Sequence, residues 1–349
     1  LETAHTQLID YLWSSGYKHI YVIPPNMVEK SRGRYNQSGA RDDKLDSYII
    51  ADLLRTDIHR LYPWHPGSEL LQQMRVLSGA SQHWTKQSVA LSNRLHAYLS
   101  RYHPAILTVF SEWPSRIACE LLLAYPTPKK AQNATYNEFS LFLKTHRHTR
   151  KSKWLTCYDN LVVPGPTVPS AIVSAYEADS IRLARQLISA LQHKRDNLEQ
   201  LRELFEQHPD HHIFASLPGA GELLAPSLLV KFGEDRQRFP TAQRVQTLAG
   251  TAPVTKQSGK KLYSVHFRRA CDKDFRYFMQ QFARCSVKES EWAASYFKLA
   301  RDKGHSVNRA YRGLANRWAS IIWRIWNDNT TYDESLHLSD RHLRRAPKA

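Results

Sequence analysis

The run from Ile172 to Phe205 constrains the fold most. Ile181, Ala184, Leu187, Ile188, Leu191, Leu198, Leu201, Leu204 and Phe205 recur there at helical spacing, with Arg, Lys, Glu and Gln between them. One apolar stripe along one long helix has to be covered. Two covers are open: a second subunit, making a coiled-coil-like arm, or another helix of the same chain. The spacing favours the arm, and its weakest point is the lapse in the pattern between Leu191 and Leu198. Pro164-Gly165-Pro166, just before the run, reads as a linker.

The other segments hang on that helix. At 349 residues the chain is long enough for two or three cores. Residues 1 to about 60 read as α/β. A helical face (Leu8, Ile9, Leu12, Trp13) ends at Gly16, a short buried strand follows at Ile20-Tyr21-Val22-Ile23, and Pro24-Pro25 stops it. A second helix is expected from Asp43 through Leu54. One buried strand implies an open sheet that extends beyond this segment. Residues 61–160 look mostly helical, with a break at Tyr125-Pro126-Thr127-Pro128. From Leu217 to Trp326 the reading is mainly helical again. Residues 327–349 are polar and basic and read as a frayed tail. The division is therefore 1–160, 161–212, 213–326 and 327–349.

A net charge of +17 calls for a polyanionic partner, and nucleic acid is the default. The excess is concentrated: Arg244–Arg324 holds 17 Lys+Arg against 5 Asp+Glu. A membrane surface would instead favour one compact basic amphipathic helix. No apolar run reaches the roughly 18 residues of a membrane span. Cys119, Cys157, Cys271 and Cys285 are scattered without a Cys-x-x-Cys pair. This argues against a zinc site and a disulfide framework and fits a reducing compartment, hence a cytoplasmic protein.

Two places carry candidate chemistry. In Ser216–Lys261, Pro218-Gly219-Ala220-Gly221 suits a tight turn between two helices, where glycine lets backbone N–H groups approach an anion. At its far end Ser258 is followed by Gly259, Lys260 and Lys261, a hydroxyl beside two cations. Such a serine can attack a phosphodiester, although the ordinary reading of Ser-Gly-Lys is a solvated loop. The second place is Asp43 and Asp46, three apart at the head of a helix and so on one face, with Glu2 before the first helix. Carboxylates so placed can hold Mg²⁺ for phosphoryl transfer. Their ordinary reading is that of acids favoured by the helix dipole.

Several segments together resemble the DEDD-type transposases of a bacterial insertion-sequence family. They are LETAH (1–5), VIPP (22–25), SGARDDKLDSYIIADLLRTD (38–57), SLPGAGELLAPSLL (216–229), AGTAPVTKQSGK (249–260), FRRACDKDFR (267–276) and RDKGHSVNRAYRGLANR (301–317). They span nearly the whole chain in the expected order. The resemblance implies an N-terminal domain similar to the RuvC or RNase H-like fold, a helical coiled-coil region and a mainly helical C-terminal transposase domain. The fold class is thus α/β plus α. It also implies an RNA-guided "bridge" recombinase that joins an insertion element to double-stranded DNA, assembling as a dimer or tetramer.

Carried over by position, Glu2, Asp43 and Asp46 match acidic residues of the Mg²⁺-binding tetrad, and Ser258 matches the attacking serine. The family's first aspartate lies on a strand before the position of Glu2, and this chain begins at Leu1. The expectation is that residues 1–349 bind nucleic acid but recombine poorly or not at all. Lys260 and Lys261 are candidates to offset phosphate charge. Gly219, Gly221, Arg268, Arg269, Lys273, Arg276, Arg284, Arg309, Arg312 and Arg317 are candidates to contact nucleic-acid backbone, a kind of contact that positions a strand without reading it. Against this, some of these cations are expected to pair with Asp272, Asp274 and Asp302. Two other functions remain open: a RuvC-like junction resolvase that uses metal-activated water, and a non-catalytic nucleic-acid-binding remnant.

Overall fold

The computed structural model describes residues 7–35, 42–165, 168–258 and 262–336, and the chain is almost entirely helical. The N-terminal module contains α1 (Gln7–Ser14), α2 (Pro25–Ser31) and α3 (Asp43–Asp57). Asp42 starts α3 by accepting a hydrogen bond from the Lys44 N–H with its side chain. Ile23, Val28, Ile49 and Leu53 form a small core here.

Residues 20–23 correct the sequence reading. Ile20 and Ile23 are buried, as a core strand requires. Among the described residues, however, this segment pairs through one antiparallel bridge from Tyr21 to Pro63, beside a bond from the Trp64 N–H to the Ile20 carbonyl. Prolines flank the segment and sit opposite it, and a proline has no N–H to carry a ladder further. Among the described residues no open sheet forms around this segment.

Two long helices make the frame. α4 (Glu69–Tyr102) has 34 residues and is about 50 Å long. α9 (Ser170–Glu206) has 37. They run antiparallel: Leu71 and Met74 at the start of α4 share a core with Leu201 and Phe205 at the end of α9. Leu95 and Leu99, late in α4, share another with Leu183 and Leu187. Small side chains face the seam, including Ser81, Ser88 and Ser92 of α4 and Ala184 and Ala190 of α9. The α9 boundaries agree with its spacing, but its cover is α4 of the same chain, so the expectation of a subunit-pairing arm is corrected.

Between these helices in sequence lie α5 (Arg116–Ala124), α6 (Pro128–Gln132), α7 (Tyr136–Thr145) and α8 (Trp154–Val162), packed on the C-terminal end of α4 and the facing first half of α9. In that core His103 is 1% exposed. Its Nε2 bonds the Tyr125 carbonyl at 3.1 Å, and its Nδ1 has no partner. Burial pushes its pKa down from 6.5 to about 4. Between those values the unfolded chain takes up a proton that the folded chain refuses, so stability falls as pH falls through the window. We expect a loss of about 3 kcal/mol between pH 7 and pH 4 from this group. Denaturant midpoints at both pH values check it: His103→Gln should flatten the profile, and an unchanged profile contradicts the assignment.

The rest of the chain forms the largest of the three described cores. α10 (His211–Ala215), α11 (Gly221–Phe232), α12 (Ala242–Leu248), α13 (Lys273–Glu289), α14 (Glu291–Asp302) and α15 (Val307–Asn327) surround Phe232, Phe278, Phe282, Trp318 and Trp326. A hairpin interrupts them, β1 (Val254–Ser258) with β2 (Leu262–His266), and it is the only sheet among the described residues. Residues beyond α15 do not fray at once. The Tyr332 N–H donates to Ser216 Oγ, and Glu334 accepts from the Ser290 hydroxyl and the Trp292 N–H.

Candidate nucleic-acid interface and catalytic residues

The hairpin is held tightly at its base. The Asp272 N–H donates to the Leu248 carbonyl at 2.9 Å, tying the loop after β2 to the helix before β1. Gly250 has φ +63°, and a Cβ there would come within 2.6 Å of Cys271 Sγ, so a side chain would split the two loops. Arg268 closes the same gap, its Nε donating to the Ala252 carbonyl at 3.2 Å. From this base the strands run in register from Val254 opposite His266 to Ser258 opposite Leu262. Ser258 is therefore the last paired residue of β1, at the outer end of the ladder.

Phe267 follows directly on β2 and is 46% exposed. The Arg276 and Arg312 guanidiniums lie 4.8 and 5.1 Å from its ring centre. Arg276 also donates to the Arg268 carbonyl at 3.1 Å. An exposed aromatic ring thus holds two cations in place beside the hairpin. Arg309 lies one turn before Arg312 on the same face of α15. Arg284, on α13, lies over the Tyr311 ring at 5.4 Å. Arg269, Lys273, Arg284, Arg309 and Arg317 are exposed.

The expected neutralisation of this surface by local acids is corrected. Asp272 pairs with Lys231 at 2.8 Å and Asp274 faces Lys86 at 3.8 Å. Among the described residues none of Arg268, Arg269, Lys273, Arg276, Arg284, Arg309, Arg312 and Arg317 forms an ion pair. Asp272 also caps α13, accepting from the Asp274 and Phe275 N–H groups, and that capping role fixes its direction. Arg268 itself mainly braces the hairpin.

The Pro218–Gly221 turn does join two helices, and its glycines differ. Gly219 has φ +74°, and a Cβ would meet the Cys285 backbone at 3.0 Å. Its missing side chain lets the turn approach α13. Gly221 has φ +58° with nothing within 4 Å of a Cβ, and it is exposed at the start of α11. Gly219→Ala is expected to cost on the order of 2 kcal/mol, backbone strain plus overlap, and Gly221→Ala about 1 kcal/mol from strain alone. Denaturation midpoints of the two variants check the order.

The acidic residues sit apart from the hairpin, on the N-terminal core. Asp43 is exposed in the first turn of α3. Asp46, one turn on, receives Arg32 through both oxygens, Nε at 2.8 Å and Nη2 at 2.6 Å. A divalent ion on Asp46 would therefore have to displace Arg32; the carboxylates of Asp43 and Asp46 on one face are otherwise the hard oxygen donors that such metals prefer. The residues present thus fit a metal in kind. Among the described residues no three acidic, His or Cys side chains converge on one point. Glu2, Lys260 and Lys261 lie outside the described residues.

Phe267 is the residue that the sequence reading did not single out. It was legible only as one aromatic among the basic residues, and its neighbours in that stretch, Phe275 and Phe278, are core. No helix of the described residues is long and apolar enough to cross a membrane.

Comparison with known proteins assigns the chain. The DEDD transposase family of the IS110 type matches residues 2–104. The "Transposase IS116/IS110/IS902 family" matches residues 211–298. The "Mini-circle putative transposase for IS117" of Streptomyces coelicolor is 30% identical over 348 residues, covering 96% of this chain and 82% of that one. The insertion element IS900 uncharacterized 42 kDa protein of Mycobacterium paratuberculosis is 27% identical, covering 93% and 80%. The insertion element IS110 uncharacterized 43.6 kDa protein of Streptomyces coelicolor is 26% identical, covering 85% and 73%. DEDD transposase domains typically use divalent metals, and a transposase works on DNA. With the α3 acids inside the first matched region and the hairpin, Phe267 and Arg276 inside the second, and with a relative 30% identical over nearly the whole chain, this chain belongs to the IS116/IS110/IS902 family of transposases.

Proposed function

We propose that this transposase recombines double-stranded DNA through Ser258, guided by a structured RNA. The observation that carries the reading is the hairpin: its outer end bears Ser258, and its base is flanked by arginines that form no ion pair among the described residues. The Ser258 hydroxyl attacks a backbone phosphorus. A P–O bond to the leaving sugar oxygen breaks, that oxygen takes up a proton, and the serine proton passes to a base. The DNA is then joined to Oγ through a phosphodiester. Attack by the sugar hydroxyl of a second duplex reverses the step, restores the serine and needs no outside energy source.

A serine hydroxyl is weak at neutral pH, and the phosphate gathers charge as it is attacked. Arg276 and Arg312, pre-positioned on Phe267, are placed to hold a neighbouring phosphate. Lys260 and Lys261 follow Ser258 in sequence and offset charge at the reacting one. Glu2, Asp43 and Asp46 would hold Mg²⁺, which when bound supplies positive charge to the phosphoryl oxygens. Because α3 and the hairpin stand on separate cores, the reacting unit is composite, and a dimer or tetramer brings the two parts together. Backbone contacts carry the affinity and base pairing with the guide RNA carries the sequence, as in other guided systems.

The test is a filter-binding titration of duplex DNA at several salt concentrations. Duplex binding should weaken steeply with salt, and the double variant Arg276→Gln/Arg312→Gln should flatten the log–log slope by about 2, near one per lost phosphate contact. A slope unchanged in the double variant contradicts the reading.

A further inference from the structure

A second site lies away from the hairpin. A cavity of about 480 Å³ opens between α4, α11 with the loop after it, and the segment 62–65 of the N-terminal module. No described hairpin residue lines it. Four acids line it, Glu234, Asp235, Asp272 and Asp274, and each is engaged: Asp235 accepts from the Gln237 N–H at 2.9 Å. Glu234 accepts from the Ser68 N–H at 2.8 Å and from the Ser68 hydroxyl, and bonds His208 at 3.1 Å. Asp272 and Asp274 have the partners given above.

The donors are not so engaged. Arg75 forms no hydrogen bond or ion pair with any described residue. Arg238 gives its Nη1 to the Lys231 and Phe232 carbonyls, at 3.2 and 3.5 Å, lies over the Phe239 ring and feels Asp272 and Asp235 electrostatically, but forms no ion pair with a described carboxylate. Burial pulls both guanidiniums below their ordinary pKa, and the nearby charge of Arg75 lowers Arg238 further. Gln82 is 5% exposed and faces the same cavity, and its Nε2 has no partner. A buried amide donor left unpaired is costly and calls for an acceptor. The rings of Tyr62 and Trp64 also line the cavity.

Two cations and an orphaned amide donor ask for a ligand rich in oxygen acceptors. The volume is far more than inorganic phosphate fills and is in the range of small-molecule sites. Aromatic side chains in the lining suit a base. We propose that this cavity binds one nucleotide unit, its phosphate between Arg75 and Arg238, an oxygen of its base or sugar on Gln82, and its base against Tyr62 and Trp64. The ligand is either a free nucleotide or one nucleotide turned out of a strand. The choice of ligand rests on the nucleic-acid reading above, but the site shares no residue with the hairpin surface.

The experiment titrates the full chain with dAMP, with inorganic phosphate, with a single-stranded octanucleotide and with duplex DNA, following Trp fluorescence and heat. Arg75→Gln breaks no hydrogen bond or ion pair with a described residue and loses only a longer-range attraction to Glu234, so its melting temperature should change little. It should weaken dAMP or octanucleotide binding about tenfold or more, and leave duplex binding intact. Gln82→Met should melt at the same temperature or higher without ligand, yet bind the nucleotide more weakly. Binding of dAMP as tight as that of the octanucleotide assigns a free nucleotide. Octanucleotide binding that depends on Arg75, without dAMP binding, assigns a strand unit.

The inference is overturned if neither ligand binds, if Arg75→Gln binds both like the wild type, or if inorganic phosphate binds as tightly as dAMP. Absence of duplex binding with nucleotide binding intact would sink the hairpin reading and leave this one standing.

Discussion

Ser258→Ala is expected to abolish the covalent protein–DNA adduct and to lower strand transfer on the order of 10⁴-fold or more, as loss of a serine nucleophile does elsewhere. Duplex affinity should not change. The strand register depends on backbone groups that alanine keeps, and the phosphate contacts proposed here come from Arg276 and Arg312. The assay is strand transfer between two labelled duplexes, run beside a filter-binding titration. Cleavage retained at the wild-type rate would contradict the mechanism and favour the resolvase alternative, in which metal-activated water attacks and Ser258 is not needed.

Trp318→Ala carries the largest expected loss of stability, about 3–5 kcal/mol. Trp318 is fully buried, with its ring centre 4.9 Å from Phe282, 5.1 Å from Trp292 and 5.1 Å from Tyr332. Its Nε1 donates to Ser286 Oγ at 2.9 Å. Truncation empties the junction of α13, α14 and α15 and removes the ring that seats Tyr332. Against a typical total of roughly 5–15 kcal/mol this is a large share. Equilibrium denaturation measures it, and limited proteolysis should show earlier cleavage around residues 328–336. Trp318→Phe, which keeps much of the volume and loses the N–H donor, should cost less. A loss under about 1 kcal/mol for the alanine variant would mean that this core is not packed as described.

Much of the helical frame was legible because it rests on period. The α9 boundaries follow from its apolar spacing, and the start of α3 follows from Asp42 and Asp43 at its head. What period cannot give is the identity of the cover. The stripe of Leu183, Leu187 and Leu201 would serve a second subunit as well as it serves α4, and nothing local in the sequence decides between them. The strand at 20–23 failed for a related reason: burial of Ile20 and Ile23 was readable, but a ladder needs a partner, and the segment opposite carries Pro63.

The hairpin was missed altogether, although Val254, Thr255 and Val265 flanking Ser-Gly are a β signal. It was read as a flexible turn because the segments around it are strongly helical. Of the candidate site, residue types were legible and pairings were not. The role of Arg268 as a brace, the grip of Arg32 on Asp46 and the seat of Arg276 and Arg312 on Phe267 join residues 9 to 45 positions apart.

The most direct measurement of the central claim is the chemical address of the adduct. Protein trapped on a substrate duplex with Mg²⁺ and guide RNA is digested with protease and nuclease, and the nucleotide-bearing peptide is sequenced by mass spectrometry. The account predicts a peptide spanning Val254–His266 with the phosphodiester on Ser258. An adduct on any other residue, or product formed with no adduct at any time point, would contradict it.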